Sequence, residues 1–231
     1  MAKPKRGRRS LLLTHVMPDA HGVGLTRRAW SWAAELSAQC DLEILLVSPH
    51  PQPAAPPALP GVLHVLRRAG PPLSRRRLAD WFEPDATVAA ALSSLAGPPP
   101  DRIVVFRFFM HDVAALLPLE WRERAEIDCD DWEAGTRLSL AAIALRRGDY
   151  AMASRRFVEA ARYARLERKL LPLYPMVHVA AREDADLMRR LYRIPDIRTS
   201  PNRIAPEPGL TSTPRNPSAN MLLFVGALFY P

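Results

Sequence analysis

The sequence predicts an open α/β domain, a parallel sheet covered by helices. Three observations carry this. The apolar runs "SLLLTHV" (10–16) and "DLEILLVSP" (41–49) are continuous, not alternating, as in strands buried on both faces. Between them lies "LTRRAWSWAAELSAQ" (25–39), which places Leu25, Ala29, Trp32 and Leu36 on one side of a helix. The strand–helix–strand order then recurs along the chain, and parallel neighbours need such crossovers.

The elements follow in order. After the second strand, "PQPAAPPALPG" (51–61) reads as a loop because proline and glycine interrupt regular structure. "RLADWF" (77–82) and "ATVAAALSSLA" (86–96) read as helical, with Asp85 as an N-cap candidate. "DRIVVFRFF" (101–109) is a strand, "HDVAALLP" a short helix closed by Pro118, and "AEIDCDD" (125–131) another strand. Residues 132–171 hold no proline and read as two helices broken at Gly148, with Asp149 capping the second. "YPMVHVAA" (174–181) is a strand, "REDADLMRRLY" (182–192) a helix, and "IRTSPNRI" (197–204) a short strand and turn. The count is five or six parallel strands in residues 10–204. A basic tail (1–9) is expected to precede them. A proline-rich linker (205–220) and an apolar strand beginning at Met221 follow, the latter expected to open a second domain that the chain does not complete.

Composition narrows the function classes. The chain is 231 residues long, 48% apolar and 24% charged, enough for a sizeable core. Its net charge of +8 is local: the first ten residues contribute +5, residues 132–171 another +5, and the remainder −2. This is not the spread, aromatic-interleaved basicity of a nucleic-acid groove. No segment has the ~18 apolar residues of a membrane span, and "LLLTHVM" is too short for a signal-peptide core. Cys40 and Cys129 lack metal or redox spacing, which fits a reducing cytoplasm.

Four local features could carry chemistry. "HGVGLT" (21–26) links the first strand to the first helix, where ligands of open α/β sheets bind. Gly22 and Gly24 would let a phosphate approach the backbone, or serve a plain flexible connection. A dinucleotide fingerprint fails, because Arg27 stands where the third glycine belongs and "VSPH" offers no acid for a ribose. "IDCDDWE" gathers Asp128, Asp130, Asp131 and Glu133 at a strand's carboxyl end. Asp131 could cap the next helix, two or three carboxylates could hold magnesium, or one could line a site and bind a sugar hydroxyl. His15 and His111 also follow strands, and Arg107 places a charge inside an apolar run, where it must face a cleft or a carboxylate. Lastly, Arg155, Arg162, Arg165 and Lys169 fall within roughly 80° around a helix, with Phe157, Ala160, Ala161 and Ala164 elsewhere. That arc is either a solvated face or a surface for anionic lipid.

In their order, these pieces resemble the N-terminal half of bacterial GT-B glycosyltransferases of family 4. The matching stretches are "LLLTHVMPDAHGVGLTRRAWSWAAELS", "IDCDDWE" before long basic helices, "VHVAAREDADLM", "SPNRI" and "LLFVGALFYP". Pro201-Asn202-Arg203 departs from the family's Pro-Asn-Gly turn. The resemblance implies an open Rossmann-like parallel sheet with helices on both faces, the GT-B N-terminal domain. It implies transfer of a sugar from a nucleotide-sugar to an acceptor hydroxyl, with retention, and a second lobe holding the donor. This half would supply the acceptor side and be inactive or nearly so alone. Gly22 and Gly24 match the loop that approaches the donor diphosphate. Asp130 or Asp131 matches a strand-end catalytic position, His111 falls near another, and His15 and Arg107 are candidates for the acceptor cleft. No cofactor or metal is expected. The expected partners are the nucleotide-sugar and a saccharide or lipid-linked acceptor, with no nucleic acid. The expected place is the cytoplasm, with peripheral contact at the inner membrane. A competing reading is a non-catalytic adaptor that docks through its basic helix.

Overall fold

A computed structural model of the chain describes residues 7–48, 58–67, 86–95, 97–194 and 196–202. The helix expected at 77–82, the Asp85 cap, the linker 205–220, the terminal strand and the start of the basic tail lie outside them. The strands are β1 (Arg9–Thr14), β2 (Asp41–Ser48), β3 (Val62–Arg67), β4 (Arg102–Phe106), β5 (Ala125–Asp130), β6 (Met176–Val179) and β7 (Ile197–Thr199). The helices are α1 (Gly24–Ser37), α2 (Ala86–Ser94), α3 (His111–Ala114), α4 (Leu119–Arg122), α5 (Glu133–Arg146), α6 (Tyr150–Leu170) and α7 (Arg182–Tyr192).

The seven strands form one sheet in the order β3-β2-β1-β4-β5-β6-β7, every neighbouring pair parallel. The fold is therefore the open Rossmann-like α/β class that the sequence predicts. The order reverses between β1 and β4, and such a switch point opens a crevice at the strands' carboxyl ends. Successive strand residues point to opposite faces. Leu11, Leu13, Val105, Ile127, Cys129 and Val177 pack on one side with α2 and α7. Leu12, Ile44, Val104 and Phe106 pack on the other against Ala29, Trp32, Ala33 and Leu36 of α1. Helices thus cover both faces.

Helices α5 and α6 form a hairpin. Gly148 turns it with φ +75°, a conformation that suits glycine, and the Asp149 side chain accepts from the Met152 N–H at 2.9 Å. Ala141, Ala144, Ala153 and Ala160 are all buried, so the helices approach over small side chains.

Some expectations need correction. Strand β3 was not foreseen. It follows the proline cluster directly and lies at the sheet edge, with Val62 and Val65 exposed, so it lacks the continuous apolar signal of a buried strand. Helix α4 was not foreseen either. Strand β4 ends at Phe106, and Arg107 turns the chain at φ +76° into a 3₁₀ turn at Phe108–Met110. Arg107 is therefore just past the strand, not inside it. Asp131 does not cap α5: that position falls to Trp132, which makes no side-chain cap bond. On α6, Ala160 and Ala164 are turned inward, but Phe157 and Ala161 are exposed.

Candidate functional site

The carboxyl ends of β1, β4 and β5 share one end of the sheet. After β1, the loop is tied to itself: Asp19 N–H donates to the Thr26 carbonyl at 3.1 Å, and His21 N–H donates to Asp19 Oδ1 at 2.9 Å. A Cβ on Gly22 would overlap the Thr26 hydroxyl and crowd Asp19. A Cβ on Gly24 would meet nothing within 4 Å. Gly22 is thus required by its own loop, whereas Gly24, the first residue of α1, borders open space. His15 stacks on Phe106 with ring centroids 6.2 Å apart.

Beneath this loop the α1 side of the sheet turns polar. Asp128 is fully buried and accepts two hydrogen bonds from Arg28, Nε to Oδ2 and Nη2 to Oδ1, each 2.8 Å. The indole N–H of Trp32 also donates to Oδ2, and the Asp130 N–H donates to Oδ1 at 2.8 Å. The Arg28 fork reaches further: Nη1 donates to the Ser200 carbonyl at 2.6 Å and to Asn202 Oδ1 at 2.9 Å. A two-pronged guanidinium–carboxylate bond of this kind fixes orientation as well as charge. It joins α1, the end of β5 and the segment leaving β7.

Two residues at the strand ends hold left-handed backbone, Arg107 at φ +76° and Asp130 at φ +59°. Such conformations persist only where surrounding bonds impose them. Arg107 N–H donates to the Asp128 carbonyl, and the Asp130 carbonyl accepts from Ala180 N–H, both at 2.7 Å. The bent β5 end shifts its register against β6 between Asp128 and Asp130. The side chains then meet: Arg107 Nη1 lies 2.9 Å from Asp130 Oδ2 and 3.8 Å from Asp131, and Nη2 donates to Glu133. Glu133 is shared with Arg137, 3.3 Å away. Burial opposes charge on Arg107, but Glu133 and Asp130 outweigh it and hold the guanidinium more firmly protonated than usual. Burial raises the Asp130 carboxyl despite Arg107 beside it. Its Oδ1 accepts no hydrogen bond among the described residues, and Arg28 Nε lies 3.4 Å from it.

Asp130, Asp131 and Arg107 are thus brought together. His111 is not joined to them. Its Nδ1 pairs with the Tyr174 hydroxyl at 2.9 Å, and burial lowers its pKa, so the ring is neutral near pH 7. Among the described residues no three His, Cys, Asp or Glu side chains are arranged to hold a metal ion.

Two further participants escaped the sequence reading. Arg28 lies on the apolar stripe of α1, four residues before Trp32, and a charge there signals a buried partner. Glu167 lies seven residues beyond Ala160 and fourteen beyond Ala153, on the buried stripe of α6. Its carboxylate accepts from the Tyr192 hydroxyl at 2.8 Å, the Trp132 indole at 3.1 Å and the Ala134 N–H at 3.4 Å. Burial pushes it up to about 7.

No family profile matches this chain. Nor does any curated protein sequence. Among solved structures it is similar to a sucrose-phosphate synthase from Thermosynechococcus elongatus, with 15% identity and a TM-score of 0.56 over 84% of this chain and 48% of that one. The chain spans about half the length of that protein. The likeness defines the class by fold: a GT-B-like, Rossmann-type α/β fold. This is the fold expected from the family resemblance.

Proposed function

We propose that this chain is the acceptor-side lobe of a retaining glycosyltransferase of the GT-B type, family 4, acting between a nucleotide-sugar and a saccharide or lipid-linked hydroxyl. One observation carries the reading: Asp130 and Asp131 stand at the carboxyl end of a central strand, held by Arg28, Asp128 and Arg107, in a lobe that shares its fold with half of a sucrose-phosphate synthase. In this assignment the Asp130 and Asp131 carboxylates accept hydrogen bonds from sugar hydroxyls. Burial raises the Asp130 carboxyl, which suits it to accept a proton from a bound hydroxyl. Arg107 and His15 line the acceptor side, with Arg107 fixing the Asp130 rotamer. His111 enters as a neutral hydrogen-bonding group whose Nδ1 is already engaged by Tyr174. Gly24 opens the first turn of α1 to the donor diphosphate, and Gly22 shapes the loop that presents it. The leaving diphosphate's charge must be stabilised as it develops. That demand falls chiefly on a second lobe, so this lobe alone is expected to be inactive or nearly so.

Isothermal calorimetry of the chain tests this division of labour. Millimolar-range binding of mono- or disaccharides, with nucleotide-sugars no tighter, is expected. Micromolar binding of a nucleotide-sugar to this chain alone would contradict it.

A further inference from the structure

Helix α6 turns its buried stripe, Ala153, Ala160 and Glu167, toward the molecule. The opposite strip carries Arg155, Val158, Arg162, Arg165, Leu166 and Lys169, all exposed, and no acid falls among them. Of the two acids of α6, Glu159 pairs with Arg155 of the strip and with Arg156, at 3.2 and 2.8 Å, and Glu167 is buried, which leaves Arg162, Arg165 and Lys169 as the strip's cations without an acidic partner among the described residues. The hairpin partner α5 adds apolar surface. Leu138, Ile143 and Leu145 are each 42% exposed, and Arg146 and Arg147 beside them are exposed with no acidic partner among the described residues. Exposed aliphatic side chains beside basic ones have two uses at once on a bilayer, where the basic groups reach lipid phosphates and the aliphatics enter the acyl boundary. A single-stranded nucleic acid would use the charges, but would find no aromatic stacking platform among these residues. Among the described residues no helix is long and apolar enough to cross a membrane, so the contact is one of lying on the surface.

We propose that the outer face of the α5–α6 hairpin docks the chain on the surface of an anionic phospholipid bilayer. This goes beyond the transferase reading and does not depend on it. Flotation with phosphatidylcholine vesicles, with and without 30% phosphatidylglycerol, tests it. The chain is expected to partition onto the anionic vesicles and not the neutral ones. Replacing Arg162, Arg165 and Lys169 by Gln should weaken that binding roughly 100-fold, following the contribution of each basic group near an anionic leaflet. Removing the same number of charges from the basic start, Lys3, Lys5 and Arg6 to Gln, should weaken it less than about threefold if binding belongs to the hairpin. Replacing Val158 and Leu166 of the α6 strip by Ser should weaken it severalfold without altering its salt dependence. These positions are exposed, and unchanged circular dichroism confirms that each variant folds. Equal losses from the hairpin and tail variants would overturn the proposal. So would absence of binding to anionic vesicles, or tighter binding to duplex DNA than to them.

Discussion

Arg28 is the residue on which the strand-end geometry turns. Its guanidinium is buried, and so are the Asp128 carboxylate and the Trp32 indole it meets. Taking either charge away leaves the other unpaired in the interior, which costs about 3–5 kcal/mol, whereas replacing both by apolar groups recovers much of that. Arg28→Met alone is therefore expected to destabilise the chain by about 3–5 kcal/mol in urea unfolding, and Arg28→Met with Asp128→Leu by clearly less than the two single changes together. Strict additivity would show that the pair is not coupled as its geometry indicates. The acidic half of this pair was legible in "IDCDDWE", because carboxylates at a strand's end are conspicuous. The basic half was not, because Arg27 and Arg28 stand side by side, and only the helical phase tells the buried one from its neighbour.

At the scale of elements, Glu167 ties three helices together. It stands on α6, takes hydrogen bonds from the start of α5 and from Tyr192 of α7, and has no cationic partner among them. The charged and titratable groups facing it are Glu133 and the Tyr192 hydroxyl, with Cys129 beneath on β5. A carboxyl raised from 4.5 to about 7 holds its proton in the fold where the unfolded chain has released it. The unfolded state then binds fewer protons, so stability falls as pH rises between about 4.5 and 7 and is level above that. The expected loss is of order 2–3 kcal/mol between pH 5 and pH 8, and Glu167→Gln should flatten it. An unchanged slope in that variant would place the titration elsewhere. At this scale the sequence was a good guide wherever one face was strongly apolar: α1, the Gly148 break and the Asp149 cap all stand as read. It failed at β3 and α4. A six-residue edge strand and a four-residue helix each bury too little to leave a periodic trace. It also overran β4, because Phe108 and Phe109 are buried in a 3₁₀ turn and look like strand residues when read in line.

For the whole molecule, the parallel order β3-β2-β1-β4-β5-β6-β7 sets the crevice between β1 and β4 beside the β5 carboxylates. The α5–α6 hairpin, with its basic outer strip, is a separate surface. The Rossmann-like class was readable because continuous apolar strands alternating with helices permit few other arrangements. The site was readable only in part, since Arg107 and Asp130 meet through two left-handed backbone turns that no sequence pattern announces. The most direct test of the account is an amide NMR titration of the isotope-labelled chain with a panel of saccharides. Shifts centred on His15, Arg107, Asp130 and Asp131 are predicted, with the outer strip of α6 silent. Saccharide-induced shifts that cluster elsewhere, or none at these four amides at any saccharide concentration, would contradict it.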